Sequence, residues 1–578
     1  MQRQHKGAGP AGDRQRLGGR PGLLPERRGD RTGMSIFDLS SRALRGISAR
    51  SAVRVLLRRA RMGSLLPMVV GMTILATPTL AAEDAPRLYA EHCAACHGGD
   101  RLGAIGPALL PENLGRLRKA EAEKVIAQGR PATQMPAHGD KLNAEQIKAL
   151  AEYVYTPLAA VPAWGMAEIK ASRVINVDPA SLPAKPQWNT DPLNLFTVVE
   201  TGDHHVTILD GESFKPLTRF QSRFALHGGA KYSPDGRFVY LASRDGWITK
   251  YDLYTLQIVA EIRAGVNTRN VAVSHDGRFL MVGNMLPHTL VALDARDLTP
   301  LQVIPVVGDA GATSRVSAVY TAPPRASFVV ALKDLPEVWE IPYADDAGPV
   351  MNGFVHSYEK GHEEGISPGG RFQAIRIRIP DFLDDFFFDR TYERAMGASR
   401  DGTKGLVVDL DIKRKIAEID LPGMPHLGSG IIFAKDGHDY MATPHLKEAV
   451  VSIIDMQTWK TVKRIPTLGP GFFMRSHENT GYAWIDVSMG KEKDAIQIID
   501  LSAMEIVRTL RPAPGRTTAH AEFDRSGKHV LISVMEAEGE LIVFDAESFE
   551  VVTRMPMKRP VGKYNVFNKI NYSSGTSH

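Results

Sequence analysis

Ser233-Pro234-Asp235-Gly236-Arg237 is a tight-turn signal set between apolar runs, and the chain repeats it as His275-Asp276-Gly277-Arg278, Lys435-Asp436-Gly437 and Arg525-Ser526-Gly527. Each reads as a hairpin turn. Around these turns an apolar strand ends seven times in an aspartate, at Asp210, Asp252, Asp294, Asp409, Asp455, Asp500 and Asp545. Ten positions after each lies an apolar residue: Phe220, Ile262, Ile304, Ile419, Ile465, Leu510 and Met555. Neighbouring copies are 42, 42, 46, 45 and 45 residues apart, with a single gap of 115. That gap holds Val338-Trp339-Glu340-Ile341, where an eighth, degenerate copy belongs, followed by an insertion. Alternating strands at this period indicate four-stranded propeller blades. A stacked solenoid is the alternative, but its repeats are usually shorter or helical. The expectation is an all-β eight-bladed propeller over 191–578, its ring closed with the help of Tyr564-Asn565-Val566-Phe567.

Upstream, residues 161–190 are Pro-rich and weakly periodic, and read as an extended linker laid on a larger body. Before them, residues 83–160 hold the only two cysteines of the chain, in Cys93-Ala94-Ala95-Cys96-His97. This is the spacing of covalent haem c attachment: two thiols add to the two vinyl groups, and the adjacent imidazole reaches the iron. A thioredoxin-like pair would expect a βαβ setting and a half zinc site two further ligands; neither context is present. Helical spacing leads into the motif from Arg87, a short helix covers 120–128 before Gly129, and Asn143 N-caps an amphipathic helix to about Tyr155. Met135, 38 residues after His97 and followed by Pro136, is the expected axial sulfur, with His138 and His92 as competing ligands. The segment reads as a small all-α class I cytochrome c domain.

Net charge is +5, but much of the excess lies in the first 62 residues, so it carries no nucleic-acid inference. Residues 1–82 read as a disordered or untranslated start plus a secretory signal peptide. Arg58, Arg59 and Arg61 form its basic region, 65–76 its apolar core, and Thr79-Leu80-Ala81-Ala82 its cleavage site, with Met34 or Met62 as the true start. The apolar core is too short to span a membrane, so a periplasmic protein with no membrane span is expected.

Function is expected where the repeat is violated. Leu383-Asp384-Asp385-Phe386-Phe387-Phe388-Asp389 falls inside the long insertion and could wall an apolar pocket or plug the propeller. Three histidines sit in unusual places: His227 before Gly228-Gly229, where small residues would let a flat ligand approach; His426 in a mobile-looking loop, Pro425-His426-Leu427-Gly428-Ser429-Gly430; and His520 just before a strand. His275 and His438 occupy hairpin turns and read as solvent-exposed. Arg244, Arg269, Arg315 and Arg475 lie near strand ends in different blades, and converging guanidinium groups would suit a ligand with several carboxylates.

A c-haem domain followed by an eight-bladed propeller resembles the cytochrome cd1 nitrite reductases over roughly residues 85–570. Ala225-Leu226-His227, Ser243-Arg244-Asp245-Gly246 and Gly562-Lys563-Tyr564-Asn565-Val566-Phe567-Asn568 look like that family's proximal-His loop, haem-binding Arg and C-terminal strand. The segment matching its distal-His loop, Val330-Ala331-Leu332-Lys333-Asp334-Leu335-Pro336, has no His. The closer resemblance is to the paralogous dihydro-haem d1 dehydrogenases. It is carried by Gly106-Pro107-Ala108-Leu109-Leu110-Pro111-Glu112-Asn113, Glu200-Thr201-Gly202-Asp203-His204-His205 and Arg475-Ser476-His477-Glu478-Asn479, besides the segments around His227, Leu383 and His426.

That resemblance implies oxidation of a tetrapyrrole propionate to an acrylate in the last step of haem d1 synthesis. It makes His227 the proximal and His426 the distal iron ligand, and puts His520 and Tyr564 beside the propionate as catalytic residues. Haem c is then held by Cys93, Cys96, His97 and Met135, with Arg244 and Arg269 clamping carboxylates. Dihydro-haem d1 is the substrate and haem d1 the product; the partners are an external electron acceptor and, as a candidate, the nitrite reductase that receives haem d1. A non-catalytic haem d1 carrier, which would need no electron relay, and a nitrite reductase with an open distal site are the competing readings.

Overall fold

The computed structural model describes residues 84–571 except 105, 116, 131–134, 352–365 and 368. The expectations about the start and the signal peptide therefore lie outside the described residues.

Eight antiparallel sheets form the propeller, seven of four strands and one extended to five. The strand-ending aspartates explain the repeat. Asp455 accepts from the backbone N–H groups of Gln457 and Thr458, and Asp500 and Asp545 do the same for the residues two and three positions on. Each carboxylate closes its turn, which is why the residue type recurs. Asp252 does more: buried, it takes a two-pronged bond from Arg237 at 2.9 and 3.0 Å, tying the upstream turn signal to the next strand end.

The ring closes by pairing the C-terminal strand Pro560–Asn565 with Leu195–Glu200, followed by His205–Asp210 and Pro216–Gln221. The first, axial strand is the more buried and the outer strand the more exposed, as in Thr518–Phe523 against Val551–Met557; the outer strand Gln257–Arg263 is an exception, covered by further chain. The first strands thus line the axis. Between blades the sheets pack through Val, Ile and Leu from facing strands, as where Val291 and Leu293 meet Val259 and Ile262. Each such side chain contributes about 1.5–3 kcal/mol of burial.

Two expectations change. Leu383–Phe388 is neither plug nor part of the insertion; it is the axial strand of its own blade, pairing with Arg394–Ser399. Its Phe386 and Phe388 point into the core with Leu406 and Val408, so the aromatic run reflects a doubly covered strand. The preceding blade is completed by Ile375–Arg378, which returns to pair with Glu337–Pro342 after the insertion. Nor is 161–190 wholly extended: Met166–Ala171 is helical with Ile169 buried, and Val174–Ile175 adds a fifth strand beside Gln257–Arg263.

Ahead of the blades lie the helices Ala85–His92, Ala94–His97, Pro111–Leu114, Lys119–Gln128 and Ala144–Val154. Leu88, Tyr89, Leu142, Ile147, Leu150 and Val154 form their core. Asn143 caps the last helix in a reciprocal box: its side chain accepts from Gln146 N at 2.9 Å while Gln146 Oε1 accepts from Asn143 N at 3.0 Å. Among the described residues no helix is long and apolar enough to cross a membrane.

Candidate active site

The axial strands bring residues from across the sequence to one end of the propeller. His227 Nδ1–H donates to the Arg269 carbonyl at 2.9 Å, and Arg244 donates to His227 Nε2 at 2.9 Å. A guanidinium cannot accept, so Nε2 carries the lone pair. His426 shows the same polarity, with Nδ1–H donating to the Phe472 carbonyl at 2.8 Å. In the cytochrome domain His97 repeats it toward the Pro107 carbonyl at 2.8 Å. A metal-binding histidine is held this way, its second nitrogen tied to a carbonyl so that the first stays a donor to the metal. His445 is the contrast: both its nitrogens are engaged, at Pro422 O and Ser452 Oγ, making it a satisfied core residue.

His520 is different again. It is 1 % exposed, and neither ring nitrogen has a hydrogen-bond partner. Its ring lies 4.4 Å from Phe473 and edge-on to Tyr564 at 5.4 Å. Phe473 in turn lies 6.4 Å from His426. The backbone at His520 is left-handed, φ 59°, inside Thr518–Phe523, where the pairing register shifts between Ala519 and Glu522. For a residue other than glycine that conformation costs on the order of 1–3 kcal/mol. The strand spends stability to aim this imidazole.

The circuit closes around the axis. Gly229, two residues from His227, packs on the Tyr564 ring: a Cβ there would come within 3.2 Å of it. Gly228 packs equally against Asn270, and both glycines have positive φ, 86° and 75°. Their smallness serves protein packing and the turn. On the other side Gly428 lies against Asp385, whose carboxylate accepts from Tyr320 Oη at 2.9 Å and pairs with Arg269 at 3.5 Å. His426 belongs to an ordered turn, with Leu427–Ser429 in a 3-10 helix and Pro425 bridged to His445. His227, His426, His520 and Tyr564 are thus joined by direct neighbours.

The guanidinium groups are arranged otherwise than expected. Arg244 and Arg269 converge on His227, and Arg269 Nε donates to the Ser317 carbonyl at 2.5 Å. Arg315 is locked two-pronged to Asp334, at 2.7 Å for each contact. Arg475 is 2 % exposed, with Nη1 on the Met474 carbonyl and Glu522 at 3.7 Å. His275 and His438 are exposed, as their turns suggested.

Lys563 escaped notice in the sequence. It is fully buried, donating to the His520 carbonyl and to Ser533 Oγ at 2.9 Å, and burial pushes its amine down to about 7. Only its place next to Tyr564 in the C-terminal strand could have pointed to it.

Burial, with the Lys563, Arg475 and Lys569 charges added, holds the His520 imidazole well below its ordinary 6.5. The ring is therefore neutral, and able to take a proton, at pH 7. An unfolded chain binds a proton at this position as pH falls through 6.5 and the folded chain does not, so stability falls with pH on the acid side. Wild type should lose more stability than His520→Gly between pH 7 and pH 5, measured by urea midpoints. Equal losses would mean that His520 titrates normally.

In the cytochrome domain Cys93 and Cys96 are free thiols, and burial pushes Cys93 up to about 11. Met135 is half-buried, its carbonyl accepting from Arg130 N at 3.1 Å. His138 is buried and 6.0 Å from the His92 ring.

The profile described as Cytochrome D1 heme domain matches residues 190–569, and that of Cytochrome C oxidase, cbb3-type, subunit III, matches residues 80–154. The chain is 51 % identical over 514 residues to a dihydro-heme d1 dehydrogenase of Pseudomonas aeruginosa, covering 89 % of this chain and all of the relative. It is 25 % identical to a nitrite reductase of Stutzerimonas stutzeri, over 88 % of this chain and 97 % of the relative. Among solved structures, dihydro-heme d1 dehydrogenase NirN in complex with DHE matches with TM-score 0.79 and 52 % identity, covering 84 % of this chain and 99 % of that one.

Proposed function

The chain belongs to the dihydro-heme d1 dehydrogenase family, and from that membership we propose that it oxidises one propionate of dihydro-haem d1 to an acrylate, completing haem d1. Two hydrogens leave a CH₂–CH₂ unit as two protons and two electrons: one proton goes to His520 and the other to solvent, and the electrons would leave one at a time through haem c to an external one-electron acceptor. The observation that carries this reading is His520, a buried imidazole packed on Phe473 and Tyr564 whose two nitrogens have no protein partner, linked through those rings to two histidines whose Nδ1–H bonds to carbonyls leave the lone pair on Nε2.

His227 and His426 are the residues that would hold the substrate's iron from its two faces. Arg244, now on the His227 lone pair, must give up that bond and becomes available for a carboxylate. His520 takes a proton from the propionate carbon, for which an unprotonated imidazole is suited near neutral pH. Tyr564, its phenol pushed up to about 12 by burial, stays protonated and serves as a hydrogen-bond donor. Phe473, packed on the His520 ring, keeps water from the base.

Cys93, Cys96, His97 and Met135 fit a covalent haem c, because His97 is oriented as a ligand and both thiols are free. When bound it supplies a one-electron relay to an external acceptor. Cys93→Ser/Cys96→Ser should yield protein whose haem is lost on acid–acetone extraction and which still binds the tetrapyrrole. Haem retained after extraction of the double variant Cys93→Ser/Cys96→Ser would contradict the assignment. With residues 54–82 read as an export signal, the protein works in the periplasm, where c-type haem is assembled. The test of the reaction is anaerobic incubation with dihydro-haem d1, followed by the mass of the extracted tetrapyrrole.

A further inference from the structure

Arg263 ends the strand Gln257–Arg263 and is 5 % exposed, yet its hydrogen bonds go to backbone carbonyls. Nε donates to Asp245 O at 2.9 Å, Nη1 to Gly103 O at 3.4 Å and Nη2 to Leu102 O. Its guanidinium also lies 4.6 Å from the Trp164 ring centre. One buried cation therefore bonds the propeller and the cytochrome domain at once.

What it grips on each side matters. The cytochrome loop at Leu102 and Gly103 is the one that holds His97: Gly103 N donates to His97 O at 2.9 Å, Gly106 N to Cys96 O at 2.7 Å, and Pro107 O receives the His97 ring. On the propeller side Asp245 belongs to the Ser243-Arg244-Asp245-Gly246 turn, which carries Arg244 to His227. Asn113 fastens the same seam, donating to Val266 O at 3.1 Å and Arg244 O at 3.4 Å. Ala108 and Leu110 of the cytochrome domain pack beneath it on Val266 and Leu286.

We propose that Arg263 is a positioning residue for electron transfer: it locks the loop of the cytochrome histidine His97 to the turn that reaches the pocket histidine His227, fixing the two haem sites in one conducting arrangement. The proposal rests on the reading that both sites hold haem. A run of bonds, His97–Pro107, the loop back to Leu102, Arg263, Asp245, Arg244 and His227, then crosses between domains at Arg263, with Asn113 as a second tie from the cytochrome domain to Arg244 O. A neutral or apolar residue there could not satisfy three carbonyls from two domains, and leaving them buried and unpaired would favour separation. In the step itself one electron leaves the ring iron and reduces ferric haem c to ferrous; no bond is made, and an external one-electron acceptor reoxidises haem c.

The test uses full-length protein carrying haem c and loaded with haem d1, the product, so that it does not depend on dehydrogenation. Haem c is reduced by a flash, and its reoxidation by the ring iron is followed. Arg263→Gln should slow this internal transfer about tenfold or more, as small misplacements of reacting centres do, and Asn113→Ala should slow it less. The haem c potential and haem d1 affinity should stay at wild-type values, while amide hydrogen exchange at 98–113 should rise. Arg263→Lys, which keeps the charge without the fork, should fall between. Internal transfer at the wild-type rate in both Arg263→Gln and Asn113→Ala would overturn the proposal, as would a slowing matched by lost haem d1 binding. The tetrapyrrole mass after incubation of the wild type with dihydro-haem d1 judges the dehydrogenase reading separately.

Discussion

Replacing His520 with alanine should lower the rate of dihydro-haem d1 oxidation by about 10²–10⁴, the usual range for loss of a positioned general base, with little change in tetrapyrrole affinity. His520 touches the pocket through a ring that forms no protein hydrogen bond, so its removal costs no partner. In the proposed assignment binding rests instead on His227 and His426. The glycine variant sharpens the argument. At φ 59° glycine relieves strain while both small residues leave the same space against Phe473 and Tyr564, so His520→Gly should be as inactive as His520→Ala and yet more stable than it, by about 1 kcal/mol. Activity kept in both variants would mean that His520 is no base. The pH profile gives a second check. Because burial and the surrounding cations hold the imidazole well below 6.5, the rate of propionate oxidation should be level from pH 6.5 to 8 and decline only toward acid.

His227→Ala should abolish stable tetrapyrrole binding, weakening it by about a hundredfold or more, since coordination and its supporting bonds are lost together. The Nδ1–H bond to the Arg269 carbonyl leaves Nε2 as the one donor nitrogen, and alanine offers none. His426→Ala should weaken binding less and shift the visible spectrum of the bound ring toward a five-coordinate iron. Titration followed by absorbance separates the two cases. Equal affinity of His227→Ala and wild type would remove the iron-ligand assignment. Added imidazole should restore the His227→Ala spectrum, a rescue that a merely structural defect would not allow.

The parts of this molecule that could be read in its sequence are those encoded locally. The strand-ending aspartates repeat because each closes its own turn within three residues. The C-x-x-C-H spacing and the Asn143 cap are likewise contained in single turns of chain. The cytochrome d1 propeller and its unusual histidines were legible for this reason and through resemblance.

What was hidden depends on contacts between distant strands. Asp385 meets Arg269 across 116 positions and, as part of an axial strand, was mistaken for a piece of the insertion. The sequence does not show that the glycines after His227 make room for Tyr564 and Asn270. A buried lysine at 563 and an arginine at 263 that bonds carbonyls of two domains carry no pattern at all, because their roles exist only once the ring has closed.

The measurement that tests the central claim most directly is anaerobic incubation of the oxidised, haem c-loaded protein with dihydro-haem d1, with the tetrapyrrole then extracted and weighed. The account predicts a product lighter by two hydrogens, with haem c reduced in step. Tight binding with unchanged mass and haem c left oxidised would contradict it, and would leave the chain a carrier of the ring.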